Sequence, residues 1–185
     1  MSIRASLFAV SGAKSKELAE SKTWIPLCWL TLPCARDVER AGGTACVTAD
    51  RKEAIDRCAR SVPFLEKLFP EFRSVRVCAD ALLALLRRSR TATIGIELTD
   101  HFAKAPEAFP RALLASVKAI EANDEKCSFA VPDRQIVNPF TRKPTTVKAP
   151  PLKTTRDVLC FTAGLDPATD DESIERDQLI GHLLK

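Results

Sequence analysis

Catalytic chemistry in this chain would start with its histidines, and there are only two, His101 and His182. His101 stands in "ELTDHF", directly after Asp100 and four residues after Glu97. A carboxylate beside an imidazole can act as an acid–base pair. Adjacent residues on a strand point to opposite faces, however, so Asp100 need not orient His101. The plainer expectation is a surface histidine at a strand end. His182 has no evident partner. An enzyme with a site around Glu97, Asp100 and His101 therefore stands as an alternative.

Other catalytic signatures are missing. There is no GxSxG elbow, Walker loop, GxGxxG or HExxH. "SGAKSK" (11–16) follows a strand-like run and carries Gly, Lys and Ser, but it lacks the first glycine and the spacing of a phosphate loop. Asp170 and Asp171 lie in an acidic tail where water solvates both. These absences favour a non-catalytic protein, and no cofactor is expected.

The seven cysteines are Cys28, Cys34, Cys46, Cys58, Cys78, Cys127 and Cys160. Their number is odd, their positions are scattered, and no pair has CxxC spacing. That argues against both a disulfide framework and a zinc site. They read as small buried hydrophobes in a reducing compartment, with Cys28, Cys46, Cys58, Cys78 and Cys160 the most buried. The N-terminal apolar run Ala5 to Val10 is too short for a signal peptide of ~7–15 apolar residues. No stretch approaches the ~20 apolar residues of a membrane span. A cytoplasmic protein without membrane contact is the expectation.

Charge offers a second lead. The net charge of +4 is mild, and charged residues make up 28% of the 185-residue chain. Residues 134–156 nevertheless hold Arg134, Arg142, Lys143, Lys148, Lys153 and Arg156 with no acidic residue among them. Residues 166–177 hold Asp166, Asp170, Asp171, Glu172, Glu175 and Asp177 against Arg176 alone. The two segments can be solvated or pair with each other. The sharper reading makes the basic loop a contact for an acidic protein surface, and the six basic residues its binding set. A nucleic-acid backbone is the other acidic partner to weigh. Only Phe140 and Phe161 lie nearby as stacking platforms, which argues against single-stranded nucleic acid.

These side chains need a scaffold. With 45% hydrophobic residues, the chain can bury a core in one domain spanning 1–185. "IRASLFAV" (3–10) predicts a strand and "SKELAES" a short helix. Pro26 suits the first turn of a helix over 25–32, which Pro33 stops. Gly42-Gly43 forms a turn before a strand at 44–49. Asp50 caps a helix with Glu53 three residues on, and Pro63 restarts it. Residues 78–90 form a helix with Leu82, Leu83, Leu85 and Leu86 inward, its terminal arginines complementing the helix dipole. A strand at 91–98 and a helix at 106–124 follow. Strands are expected at 126–131, 134–140 and 156–164, with a proline-studded loop at 139–151. An acidic terminal helix starts at Asp170 or Asp171. The irregular order predicts an α+β fold with helices packed on a mostly antiparallel sheet.

Both tryptophans fall in "TWIPLCWLTL" (23–32). A helix over this segment is apolar nearly all round, so it is covered either by the protein's own core or by a partner. The core is the expected place for at least one indole. The "RASLFAVS" strand followed by "WIPL" resembles the opening of a group of uncharacterised bacterial proteins. That resemblance covers about the first 35 residues and carries no site residues with it. It implies a small protein of the immunity or accessory type, which neutralises a toxin or effector by direct binding.

Overall fold

The structure is a computed structural model, and it describes residues 4–137, 142, 144–149 and 151–165. The chain opens with a hairpin of β1 (Arg4–Ser11) and β2 (Lys14–Lys22). Gly12 and Ala13 form its turn, and Gly12 has the positive φ of 59° that favours glycine at the first position of a II′ turn. The expected helix over 15–21 is therefore a strand. Its Lys, Glu, Leu and Ala favour a helix in isolation, but pairing with β1 overrides that weak preference.

A 3-10 helix (Leu27–Thr31) and α1 (Ala35–Ala41) lead to β3 (Cys46–Asp50). Two long helices follow, α2 (Arg51–Leu68) and α3 (Ser74–Arg88), and then β4 (Thr93–Glu97). After α4 (Thr99–Lys104) and α5 (Phe109–Ala122) comes a second hairpin of β5 (Arg134–Val137) and β6 (Pro144–Val147), then α6 (Thr155–Ala163). The main sheet has strand order β2-β1-β4-β3 with every pairing antiparallel. The fold is thus the expected α+β class, six described helices on a four-stranded antiparallel sheet.

The sheet commits one face to the core. Ala5, Leu7, Ala9, Val47 and Ala49 are buried and alternate with more exposed neighbours, as the period of two requires, and Ile94 and Ile96 of β4 lie buried beside them. Helix packing completes this core. Asp50 caps α2 as expected, its Oδ1 accepting from Glu53 N–H at 3.0 Å. Pro63 does not restart that helix: α2 runs through it. The ring is exposed while Val62 and Phe64 on either side are buried, so one lost hydrogen bond is outweighed by packing.

Three further expectations change near the C-terminal end. Residues 156–164 form a helix, not a strand. Thr154 and Asp157 make a reciprocal capping box, and Gly164 ends α6 with φ 76°. Val158, Leu159, Thr162 and Ala163 are all buried, which is helical spacing hidden in β-rich composition. Around 126–131 there is only a bridge, with Phe129 and Leu152 exchanging backbone bonds of 2.9 and 3.0 Å. The proline-studded segment contains β6, which begins with Pro144 at a strand's first position. The expected acidic helix after residue 166 lies outside the described residues.

The tryptophan segment is core. The expected helix shortens to the 3-10 turn, and Ile25, Leu27, Cys28, Trp29, Leu30 and Leu32 are all buried. Trp24 is partly buried against the same cluster. The seven cysteines carry no disulfide. Cys28, Cys58, Cys78 and Cys160 are buried as expected, but Cys46 is exposed, because odd-numbered residues of β3 face the core. Trp29→Ala should cost ~3–5 kcal/mol of stability and Trp24→Ala clearly less. Urea denaturation midpoints of both variants measure the difference, and equal small losses would contradict the core assignment of Trp29.

Candidate functional site

A polar groove of about 670 Å³ lies between α1, α2 and α5. Cys34 and Ala35 lie at its α1 end. Its walls carry Arg36 and Glu39, then Glu53, Asp56, Arg57 and Arg60 from α2, then Lys118 and Glu121 from α5. Side chains at i, i+3 and i+4 share a helix face. That spacing puts Glu53, Asp56, Arg57 and Arg60 on one side of α2.

Arg57 organises the groove. Its Nε and Nη2 donate to the Leu32 carbonyl at 3.0 and 2.6 Å, Nη2 lies 3.4 Å from Asp37 Oδ2, and Nη1 reaches Glu53 at 3.2 Å. Asp37 is buried and accepts from Cys34 N–H at 3.0 Å. Glu121 accepts from Ala35 N–H at 3.3 Å, and Lys118 pairs with Glu39 at 2.9 Å. The start of α1 is therefore tied to both α2 and α5. Arg36 and Arg60 remain exposed on the rim, and no carboxylate in the described structure lies within salt-bridge distance of either. Arg57→Met should lower stability by ~2–4 kcal/mol, because it leaves the buried Asp37 carboxylate with only the exposed Arg40 at 3.8 Å and the Leu32 carbonyl short of two donors. A denaturation midpoint within error of wild type would contradict that role.

The alternative acid–base pair of Asp100 and His101 is not assembled. His101 is buried within α4 and not on the surface at a strand end. Its ring stacks on Phe109 at 5.6 Å and packs against Gly164. Nε2 has no hydrogen-bond partner among the described residues. Asp100 instead accepts from Arg4 N–H at 2.9 Å, and Glu97 accepts from the Thr99 hydroxyl at 3.0 Å. Thr23, whose carbonyl lies against Gly164, has φ 88°, rare for a β-branched residue. Burial pushes the His101 pKa down from 6.5 to about 4, Lys104 adds to that, and Asp100 opposes it.

The unfolded chain thus binds this proton first as pH falls. Stability should be level above pH 6.5 and decline toward pH 4, by on the order of 2 kcal/mol at pH 4.5. His101→Leu should flatten that decline in urea titrations across the same range. A variant as acid-sensitive as wild type would show that other groups carry the effect.

The basic segment divides. Arg156 belongs to the fold: it pairs with Glu71, donates to the Leu68 carbonyl at 3.1 Å, and lies over the rings of Phe69 and Phe72 at 5.0 and 5.8 Å. Arg142, Lys148 and Lys153 are exposed. Arg134 begins β5, and Lys143 lies outside the described residues. The acidic residues 166–177 also lie outside them. Sequence reasoning missed the groove because its third wall, α5, comes from a part of the chain distant from α1 and α2. The Glu53–Arg57 spacing was its only local sign.

Among the described residues, no three His, Cys, Asp or Glu side chains are placed to hold a metal ion. Nor is any helix there long and apolar enough to cross a membrane. No protein-family model, curated protein or solved structure matches this chain.

Proposed function

We propose that this chain is a non-catalytic protein-binding protein whose partner contacts the groove between α1, α2 and α5. One observation carries this reading: a groove of about 670 Å³ is lined by charges of both signs on three helices tied together by ion pairs. Small-molecule sites are mostly apolar with a few polar groups, whereas a broad polar surface suits a protein partner. The internal ion pairs hold the walls in place before any partner arrives, which lowers the ordering cost of binding. Arg36 and Arg60, which pair with no carboxylate among the described residues, are the side chains a partner's acidic groups would meet.

Buried His101, whose Nε2 has no hydrogen-bond partner among the described residues, offers no support for an enzyme at Asp100. The N-terminal resemblance supplies the finer proposal, a toxin or effector as the partner and an immunity role for this chain. The exposed basic residues Arg142 and Lys148 give a second, smaller surface for the same purpose. The test is calorimetric titration of the full chain with the protein encoded beside it. A stoichiometric complex is expected, weakened at least tenfold in R36E/R60E and less in R142E/K148E. Failure to form a complex, or a turnover that depends on a residue of this chain, would overturn the reading.

A further inference from the structure

The two edges of the main sheet are built differently. β2 carries Lys14, Lys16 and Lys22, and its register with β1 shifts between Leu7 and Phe8. Edge lysines and bulges are devices that prevent strands from adding. β3, the opposite edge, has no lysine and no proline, and its register with β4 is unbroken.

The ladder also fixes which backbone groups of β3 face outward. Leu98 N–H donates to the Ala45 carbonyl at 2.7 Å and Arg51 N–H donates to the Ala92 carbonyl at 2.8 Å. Antiparallel pairing alternates, so Ala45, Val47, Ala49 and Arg51 turn their backbone groups to β4. Cys46, Thr48 and Asp50 turn theirs away. The Cys46 carbonyl accepts from the Thr44 hydroxyl at 3.2 Å. Thr48 N–H and C=O face no strand among the described residues.

An apolar crevice of about 200 Å³ adjoins this edge. Val47 lines it, with Val38 and Ala41 of α1, Phe102 of α4, and Leu113 and Leu114 of α5. It is smaller than the ~300–1,000 Å³ of a small-molecule site, and its size suits a single aliphatic side chain. In a strand added beside β3, the residue opposite Val47 projects to the same side as Val47, toward the crevice. The residue opposite Asp50 projects to the open face of the sheet. There the Asp50 carboxylate favours a cation.

We propose that β3 is a strand-addition site for an extended segment of a protein partner. An aliphatic residue seats beside Val47, and a lysine or arginine three positions away lies opposite Asp50. Backbone bonds to Thr48 supply affinity and the crevice supplies selectivity. The proposal rests on the protein-binding reading and names the chemistry of the partner. A second copy of β3 fits poorly: antiparallel pairing about Thr48 would set Ala49 opposite Val47 and Cys46 opposite Asp50, with one methyl for the crevice and no cation.

The probe is a displayed library of random ten-residue peptides, selected on the full chain and titrated by fluorescence anisotropy after resynthesis. Enriched peptides should share a Lys or Arg three positions from a Val, Ile or Leu. Thr48→Pro removes an outward N–H that β4 does not use, and it should weaken binding at least tenfold; Asp50→Asn should weaken it several-fold while keeping the cap. Amide exchange on the wild-type chain covers the case in which proline disturbs the fold. Peptide binding should newly protect Thr48, whereas Val47 and Ala49 are bonded already. No enrichment, or binding that spares Thr48 in both measurements, overturns the proposal. Loss of binding in R36E/R60E but not in Thr48→Pro places the peptide in the groove, which removes the edge site and leaves protein binding standing. Self-association sensitive to Thr48→Pro without peptide binding assigns the edge to a second copy and also overturns it. Peptide capture at β3 together with no complex in the calorimetric titration would remove the toxin-binding reading alone.

Discussion

The fold depends on covering one apolar segment on every side. Ile25 to Leu32 has no polar face to offer water, and its six large or sulfur-bearing side chains are all buried. Proline at 26 precedes the 3-10 turn and proline at 33 follows it. Within the core, α2, α3, α5 and α6 all pack against this turn. Its ends are pinned by polar bonds, Ile25 N–H to the Ala163 carbonyl at 2.8 Å and the Leu32 carbonyl to Arg57. A buried chain end must satisfy its backbone groups within the protein, and these bonds do so. The helices therefore take their places around the turn, and the space left between α1, α2 and α5 becomes the groove.

The sheet is the second layer, and only one of its faces is committed to that core. The open face holds Phe8 and Val10 beside Gly95, ringed by residues of β2 and β3. Hydrophobic burial decides the register here, since a one-residue slip of β1 would send Leu7 to water and Phe8 into the helices. The same alternation exposes Cys46 and Thr48 while burying Val47 and Ala49. The asymmetry between edges follows from composition alone: nine mostly charged residues in β2, four small or β-branched ones plus the capping Asp50 in β3.

Much of this was legible because local and global preferences agree. The period of two in residues 4–10, the cap at Asp50 and the leucine spacing of 82–86 each point to the element that forms. Disagreement marks the misses. "SKELAES" prefers a helix but lies within hairpin reach of β1. "RDVLCFTA" prefers a strand, yet the Thr154–Asp157 capping box and Gly164 frame a helix around it. His101 could not be placed from sequence, because its burial depends on Phe109 and Gly164, the latter far along the chain. The groove was illegible for the same reason. A charge on one helix says nothing about which helix it will face.

α1 links these surfaces. Seven residues are too few for a helix to persist on its own propensity, so its neighbours must hold it. Asp37 holds it through Arg57, Glu121 through the Ala35 N–H, and Glu39 through Lys118. The outer side of α1 borders the polar groove, while Val38 and Ala41 wall the crevice beside β3, and Glu39 lines both. A partner lying across this region would touch a helix whose position is set by buried polar bonds more than by its own sequence. Ligand binding stabilises whichever state it prefers. Contact at either surface would therefore tighten α1 against α2 and α5, and a loosened α1 would cost both surfaces together. The groove and the crevice are mechanically one, with Arg57 as their common anchor.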